Sequence, residues 1–182
     1  MFWDSVASAL QIPVSTIFTV FIIFFIIIVL IAMAIRIVPE YERVVIFRLG
    51  RAIGPKGPGL IIIIPFVDRV VRMDLRERFI QIPHQTNITK DNAPVAIDFL
   101  IYFRIIDPGL SVLQVQNFEG AAIGIATTTL RAVVGDIMLD EVLARREQIN
   151  AVLRTKLDEV TERWGVKVTT VEIREIMPPK DV

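Results

Sequence analysis

The chain has 182 residues, of which 53% are hydrophobic, and its 20 basic residues balance 20 acidic ones. A zero net charge argues against a nucleic-acid partner, which draws on a basic surplus. The lack of cysteine excludes a disulfide framework, a thiolate nucleophile, a cysteine-based metal site and a palmitoyl anchor, and the single histidine, His84, is too few for the usual zinc constellations.

Residues 1–11 carry Phe2, Trp3, Val6 and Leu10 and read as an amphipathic lead at a membrane interface or as a polar terminus. From Ile12 to Ile35 no residue is charged, and Phe, Ile, Val and Leu dominate. The hydrocarbon core of a bilayer is about 30 Å thick, so a helix needs roughly 20 apolar residues to cross it. No proline follows Pro13 in this run, and β-branched side chains matter little where the backbone must satisfy its own hydrogen bonds. A transmembrane helix is therefore predicted, with Ile17, Phe18, Phe21, Phe24, Phe25, Ile28, Leu30 and Ile31 anchoring it in lipid. A cleaved signal peptide would need a basic flank and a small-residue cleavage site; here Asp4 precedes the run and Arg36 ends it. Arg36, Arg43, Arg48, Arg51 and Lys56 all follow the run, which places the C-terminal part of a single-pass protein in the cytoplasm, beneath the cell membrane.

Arg43 to Gly50 is β-branched and bounded by Gly, a strand pattern. Gly54-Pro55-Lys56-Gly57-Pro58-Gly59 reads as a turn; it lacks the Gly-Lys-Ser/Thr ending of a phosphate loop, and its prolines remove backbone donors. Leu60, Ile61, Ile62, Ile63 and Ile64 allow two readings, a strand buried on both faces or a second membrane contact. Val67–Leu75, Phe79–Ile82 and Pro94–Ile106 are predicted strands, the last ended by Asp107-Pro108-Gly109. Phe118–Val134 is predicted as a helix whose small residues permit close packing. Met138–Trp164 is predicted as one long helix, with Val142, Ile149, Leu153, Leu157, Val160 and Trp164 on its inner face, Glu159 and Arg163 paired outside, Asp136 or Asp140 as cap, and Gly165 as stop. Val166–Met177 alternates again as a strand, and Pro178-Pro179 stops it. Strands, then helices, then a strand give an α+β class, and about 145 residues suffice for one core.

Several short motifs occur in order along this stretch: Phe47-Arg48-Leu49-Gly50-Arg51, Ile64-Pro65-Phe66-Val67-Asp68, Met73-Asp74-Leu75-Arg76-Glu77, Ile88-Thr89-Lys90-Asp91-Asn92, Arg146-Glu147-Gln148-Ile149 and Trp164-Gly165-Val166-Lys167-Val168. From Pro39 to Pro179 the chain resembles the stomatin branch of the stomatin/prohibitin/flotillin (SPFH, band 7) family, with prokaryotic slipins as nearest kin. The resemblance implies residues 1–38 as lead and anchor, 39–179 as an SPFH domain, and 180–182 as the start of a C-terminal extension that this chain lacks. It implies a membrane scaffold without enzymatic activity or cofactor, assembling with copies of itself into rings or cages that organise a membrane microdomain. An NfeD-type membrane protein or a membrane protease is the implied partner. The alternative is a regulatory subunit binding one membrane protease or channel directly. Two departures stand out. No central proline bends the anchor, so a straight span is expected, and a chain that stops at Val182 is either shortened or does not complete a cage.

Candidate chemistry is sparse. Thr127-Thr128-Thr129 offers hydroxyls, but back-bonding to the helix is the plainer reading. Asp74, Glu77, Asp91 and Asp98 match no ligand loop. Arg69, Arg72, Asp74, Arg76, Glu77 and Arg78 read as a salt-bridged face, and Trp164 as packing of the helix end. Arg131, Asp136, Arg145, Arg146 and Glu147 are the expected inter-subunit contacts.

Overall fold

In the computed structural model, residues 14–177 are described. The readings for residues 1–11, for Pro178-Pro179 and for residues 180–182 lie outside them. Helix α1 runs Val14–Ala34 and passes without a loop into β1, Ile35–Val38. Residues 35–38, expected to belong with the anchor, are therefore already strand. Strand β2 spans Glu42–Arg48, β3 Arg51–Lys56, β4 Gly59–Ile62 and β5 Asp68–Asp74. The predicted turn at 54–59 is shorter than expected. Gly54, Pro55 and Lys56 pair with β2 as the end of β3, leaving Gly57-Pro58 as the turn, joined by a cis peptide.

β1 and β4 form a two-stranded antiparallel ribbon, and β3-β2-β5 form a three-stranded antiparallel sheet. Their facing residues Val38, Val44, Ile46, Ile61 and Ile63 close a small core, with Val70 against it. A second sheet has the order β6-β7-β8, from Arg78–Ile88, Pro94–Ile105 and Val166–Met177. Strand β6 is longer than the sequence suggested. An irregularity between Ile82 and Gln85 absorbs Pro83 and His84, after which pairing resumes. Proline is tolerated at such a bulge because no ladder bond is asked of it.

Three helical segments follow β7. Helix α2, Pro108–Gln114, follows directly where Asp107-Pro108-Gly109 is expected only to end a strand: the Asp107 carboxylate accepts the Leu110 N–H at 3.0 Å, with Pro108 in the first turn. Helix α3, Phe118–Gly135, buries Ala122, Ala126, Leu130 and Val134 at every fourth position, and its alanines let it approach the sheet closely. The predicted helix 138–164 is divided into α4, Leu139–Ala144, and α5, Arg146–Thr161, with a 3₁₀ turn at Glu162–Trp164. No glycine or proline marks the break at Arg145. The two parts obey different tertiary ties: Lys90 N–H bonds Ile137 O at 2.9 Å and Leu139 N–H bonds Asp91, while Asn150 and Asp158 accept N–H groups of β8. The cap differs too. Glu141 accepts the Met138 N–H, whereas Asp136 ends α3 and Asp140 lies within α4. Glu159 pairs with Lys156 at 3.4 Å, not with Arg163.

The main core lies between this second sheet and α3–α5, with Phe99, Phe103, Ile97, Ile101, Leu130, Leu153 and Leu157 almost wholly buried. Trp164 meets Phe118 edge-on, and Phe118 lies tilted against Phe103 with ring centroids 4.7 Å apart, so the helix end is packed as expected. Gly165 stops α5 in the left-handed conformation at φ 66°, and its carbonyl accepts the N–H groups of Ile106 and Asp107. A Cβ there would meet Asp107 O at 2.5 Å. Gly165→Ala is expected to cost roughly 2–4 kcal/mol through this clash and the disfavoured φ. Gly124→Ala, in open space on α3, should instead stabilise by about 0.5–1 kcal/mol. Thermal melts of the detergent-solubilised protein check both, and equal melting temperatures would contradict the assignment.

Candidate membrane-facing surface

The large apolar side chains of α1 from Ile17 to Met33 are 40–67% exposed on every side of the helix. In α5 only one stripe is apolar, and Ile149, Leu153 and Leu157 on it are buried. A helix that is apolar all round is one that sits in a protein interior or in a membrane. All eight residues expected to anchor the chain lie in this exposed set. By length and composition Thr16–Ala34 can cross a membrane. At 1.5 Å per residue the 21 residues of α1 reach about 31 Å.

The apolar surface does not stop at Ala34. Ile63 N–H donates to Ala34 O at 2.8 Å, tying the end of β4 to the last turn of the helix. The ribbon register pairs Ile35 with Ile62 and Ile37 with Leu60, so these four share one face. On that face Ile37, Leu60 and Ile62 are 74%, 65% and 70% exposed, and Ile64 continues it, whereas Ile61 and Ile63 turn into the small core. Leu60–Ile64 thus has two unlike faces. The segment is not buried on both faces; it alternates, one side core and the other an apolar sheet surface facing out.

A second apolar projection lies beside the ribbon. The β2–β3 turn presents Leu49 at φ 49° and 84% exposed; the β4–β5 loop presents Phe66 at φ 67° and 90% exposed. Left-handed backbone is uncommon for bulky residues and costs on the order of 1–3 kcal/mol, so the surroundings must hold it. Arg48 does so by donating to both oxygens of Asp68 at 2.7 and 2.9 Å, and the Ile64 N–H adds a third bond at 2.8 Å. Neither leucine nor phenylalanine favours positive φ, so no local signal in the sequence marks this tip.

The Arg48 guanidinium, then the Ile64 N–H, lower the Asp68 carboxyl to a pKa of about 2. At the far end of the same sheet Arg76 lowers Asp74 to about 2 and lies over the Tyr41 ring at 4.4 Å. Arg72 approaches Glu42 at 3.9 Å, so of the charged residues between 69 and 78 only Arg72, Asp74 and Arg76 form ion pairs among the described residues. Asp91 is lowered by the Thr89 hydroxyl and by the Leu139 N–H, a structural role at the start of α4. Asp98 is buried and accepts the Glu175 N–H at 2.7 Å. Glu77 and His84 are exposed, and Thr128 donates to Gly124 O at 2.9 Å, the back-bonding expected of it. Among the described residues no group of three His, Cys, Asp or Glu side chains is placed to hold a metal. Of the expected inter-subunit residues, Arg145, Arg146 and Glu147 stand together at the start of α5. Arg131 and Asp136 lie on the last turns of α3, and all five are exposed. Arg145 also pairs with Glu141 at 3.3 Å.

A carboxylate held below its ordinary value of about 3.9 stabilises the fold above that pH and loses the contribution as the pH falls through its folded value. Asp68→Asn is expected to lower the melting temperature at pH 7, and the gap to the native protein should close as the pH falls from about 4 towards 2. A gap independent of pH in that window would contradict the clamp.

The Band 7 family model, described as the SPFH domain, matches residues 36–182. A stomatin homologue of Pyrococcus horikoshii is 49% identical over 148 residues, covering 81% of this chain and 56% of its own length. Stomatin-1 of Caenorhabditis elegans is 42% identical over 151 residues, covering 82% and 46%, and Mechanosensory protein 2 of the same animal is 44% identical over 149 residues, covering 81% and 31%. The chain thus spans about half, or less, of the length of these relatives. The exposed apolar helix, the α+β domain behind it and these likenesses agree: the chain belongs to the SPFH (Band 7) family, among the stomatin homologues.

Proposed function

We propose that this stomatin-like protein is a non-catalytic scaffold of the cell membrane, crossing the bilayer once through α1 with its SPFH domain, residues 39–179, in the cytoplasm. The observation that carries this reading is continuity: a bare apolar helix passes directly into a ribbon whose outward face is also apolar. With α1 in lipid, Leu60, Ile62 and Ile64 lie at the bilayer surface and hold the domain against it. Copies then self-associate into ring- or cage-like assemblies through Arg131, Asp136, Arg145, Arg146 and Glu147. Each exposed ion pair contributes only about 0–1 kcal/mol. Confinement to a plane raises the effective concentration, so weak contacts repeated head to tail can close a ring. The family likeness makes an NfeD-type membrane protein or a membrane protease the partner to expect.

The native chain is expected to stay with the membrane pellet after alkaline carbonate treatment, and release into the supernatant would contradict the anchor. Charge reversal at Arg145→Glu together with Arg146→Glu should shift the detergent-extracted protein to smaller species on size-exclusion chromatography. An unchanged size distribution would exclude that surface from assembly.

A further inference from the structure

Beside the Leu49–Phe66 tip runs a groove of about 560 Å³ that none of the roles above uses. Its walls are Phe47, Leu49, Val67 and Val71 of the three-stranded sheet and its loops, closed by Val112 of α2. Cavities of this size lined by apolar side chains with a few polar groups are typical ligand sites. The one charged group in the lining is Arg69. The register Phe47↔Arg69 puts its side chain on the groove face of β5, while Arg48, Arg51 and Asp68 share the opposite face. On that face Asp68 pairs with Arg48, whereas on the groove face Arg69 has no ion pair or hydrogen bond among the described residues.

The groove is also placed at one level of the domain. The Ile63–Ala34 hydrogen bond sets the β4–β5 loop against the end of α1, and that loop supplies Val67 to the groove wall and Phe66 to the tip. With α1 in the bilayer, the proposed function on which this inference rests, the groove opens beside the headgroup layer. An apolar channel there with one unpaired guanidinium is complementary to a single class of molecule, an amphiphile with an anionic head. The geometry points to a binding site for one anionic membrane lipid, its phosphate on Arg69 and part of an acyl chain along Phe47, Leu49, Val71 and Val112. Arg suits this role because its planar fork donates two parallel bonds to a phosphate.

The test uses the full chain in vesicles of equal parts phosphatidylglycerol and phosphatidylcholine, extracted in mild detergent, with the co-purifying lipid counted by mass spectrometry. The native protein should retain phosphatidylglycerol over phosphatidylcholine. Arg69→Ala should reduce that preference roughly tenfold, the scale of one lost charge-assisted contact, and Arg69→Lys should keep part of it. Arg51→Ala, on the opposite face, should keep all of it. Val112→Trp fills the groove and should lower retention of both lipids; if that variant does not fold, the Arg69 series decides alone. Equal retention by the native and Arg69→Ala proteins, or an equal loss in Arg51→Ala, would overturn the site. Carbonate release of the native protein would instead overturn the membrane reading itself, so the two failures are told apart.

Discussion

The rest of the structure depends on the apolar surface of α1 leaving water. Fifteen large apolar side chains on this helix are bare of protein, and fully burying one such side chain is worth about 1.5–3 kcal/mol. Even partial credit summed along the helix outweighs any set of surface ion pairs at 0–1 kcal/mol each. Hydrophobic transfer therefore outweighs surface charge in setting where the domain sits.

The link between that helix and the domain is short and stiff. No loop separates Ala34 from β1, and the Ile63–Ala34 hydrogen bond joins helix and ribbon a second time. The ribbon has two apolar faces with different fates. Val38, Ile61 and Ile63 pack onto Val44 and Ile46, and Ile37, Leu60 and Ile62 face out. Exposed apolar patches of this kind mark interaction surfaces rather than ordinary solvent contact. The large core between the second sheet and α3–α5 has no part in this surface. It stabilises the fold, and Arg131, Asp136 and Arg145–Glu147 are exposed on or at the ends of the helices that close it.

What could be read from the sequence follows from which signals are local. A long uncharged run, the alternation of Val166–Met177, the small residues of α3 and the Gly165 stop each act over a few residues, and each stands where it was expected. Features set by distant partners were not legible. The break at Arg145 answers to ties with β6–β7 on one side and β8 on the other. The two-faced role of Leu60–Ile64 needed the register with β1, since a run of five apolar residues shows no alternation by itself. The Leu49–Phe66 tip needed the Arg48–Asp68 clamp, whose partners are 20 residues apart. The N-cap of α2 was the exception. Asp107-Pro108 is a local helix-start signal, and it was outweighed by its place at the end of the strongest strand.

The central claim is that the helix and the outer ribbon face meet lipid together. Because the chain has no cysteine, single spin labels can be placed at will. Labels at Leu60→Cys and Ile62→Cys, compared with Arg131→Cys in the vesicle-reconstituted protein, would report their surroundings by relaxation with oxygen, which concentrates in lipid, and with a water-soluble nickel complex. The account predicts oxygen-dominated relaxation at 60 and 62 and nickel-dominated relaxation at 131. Nickel-dominated relaxation at all three would contradict it.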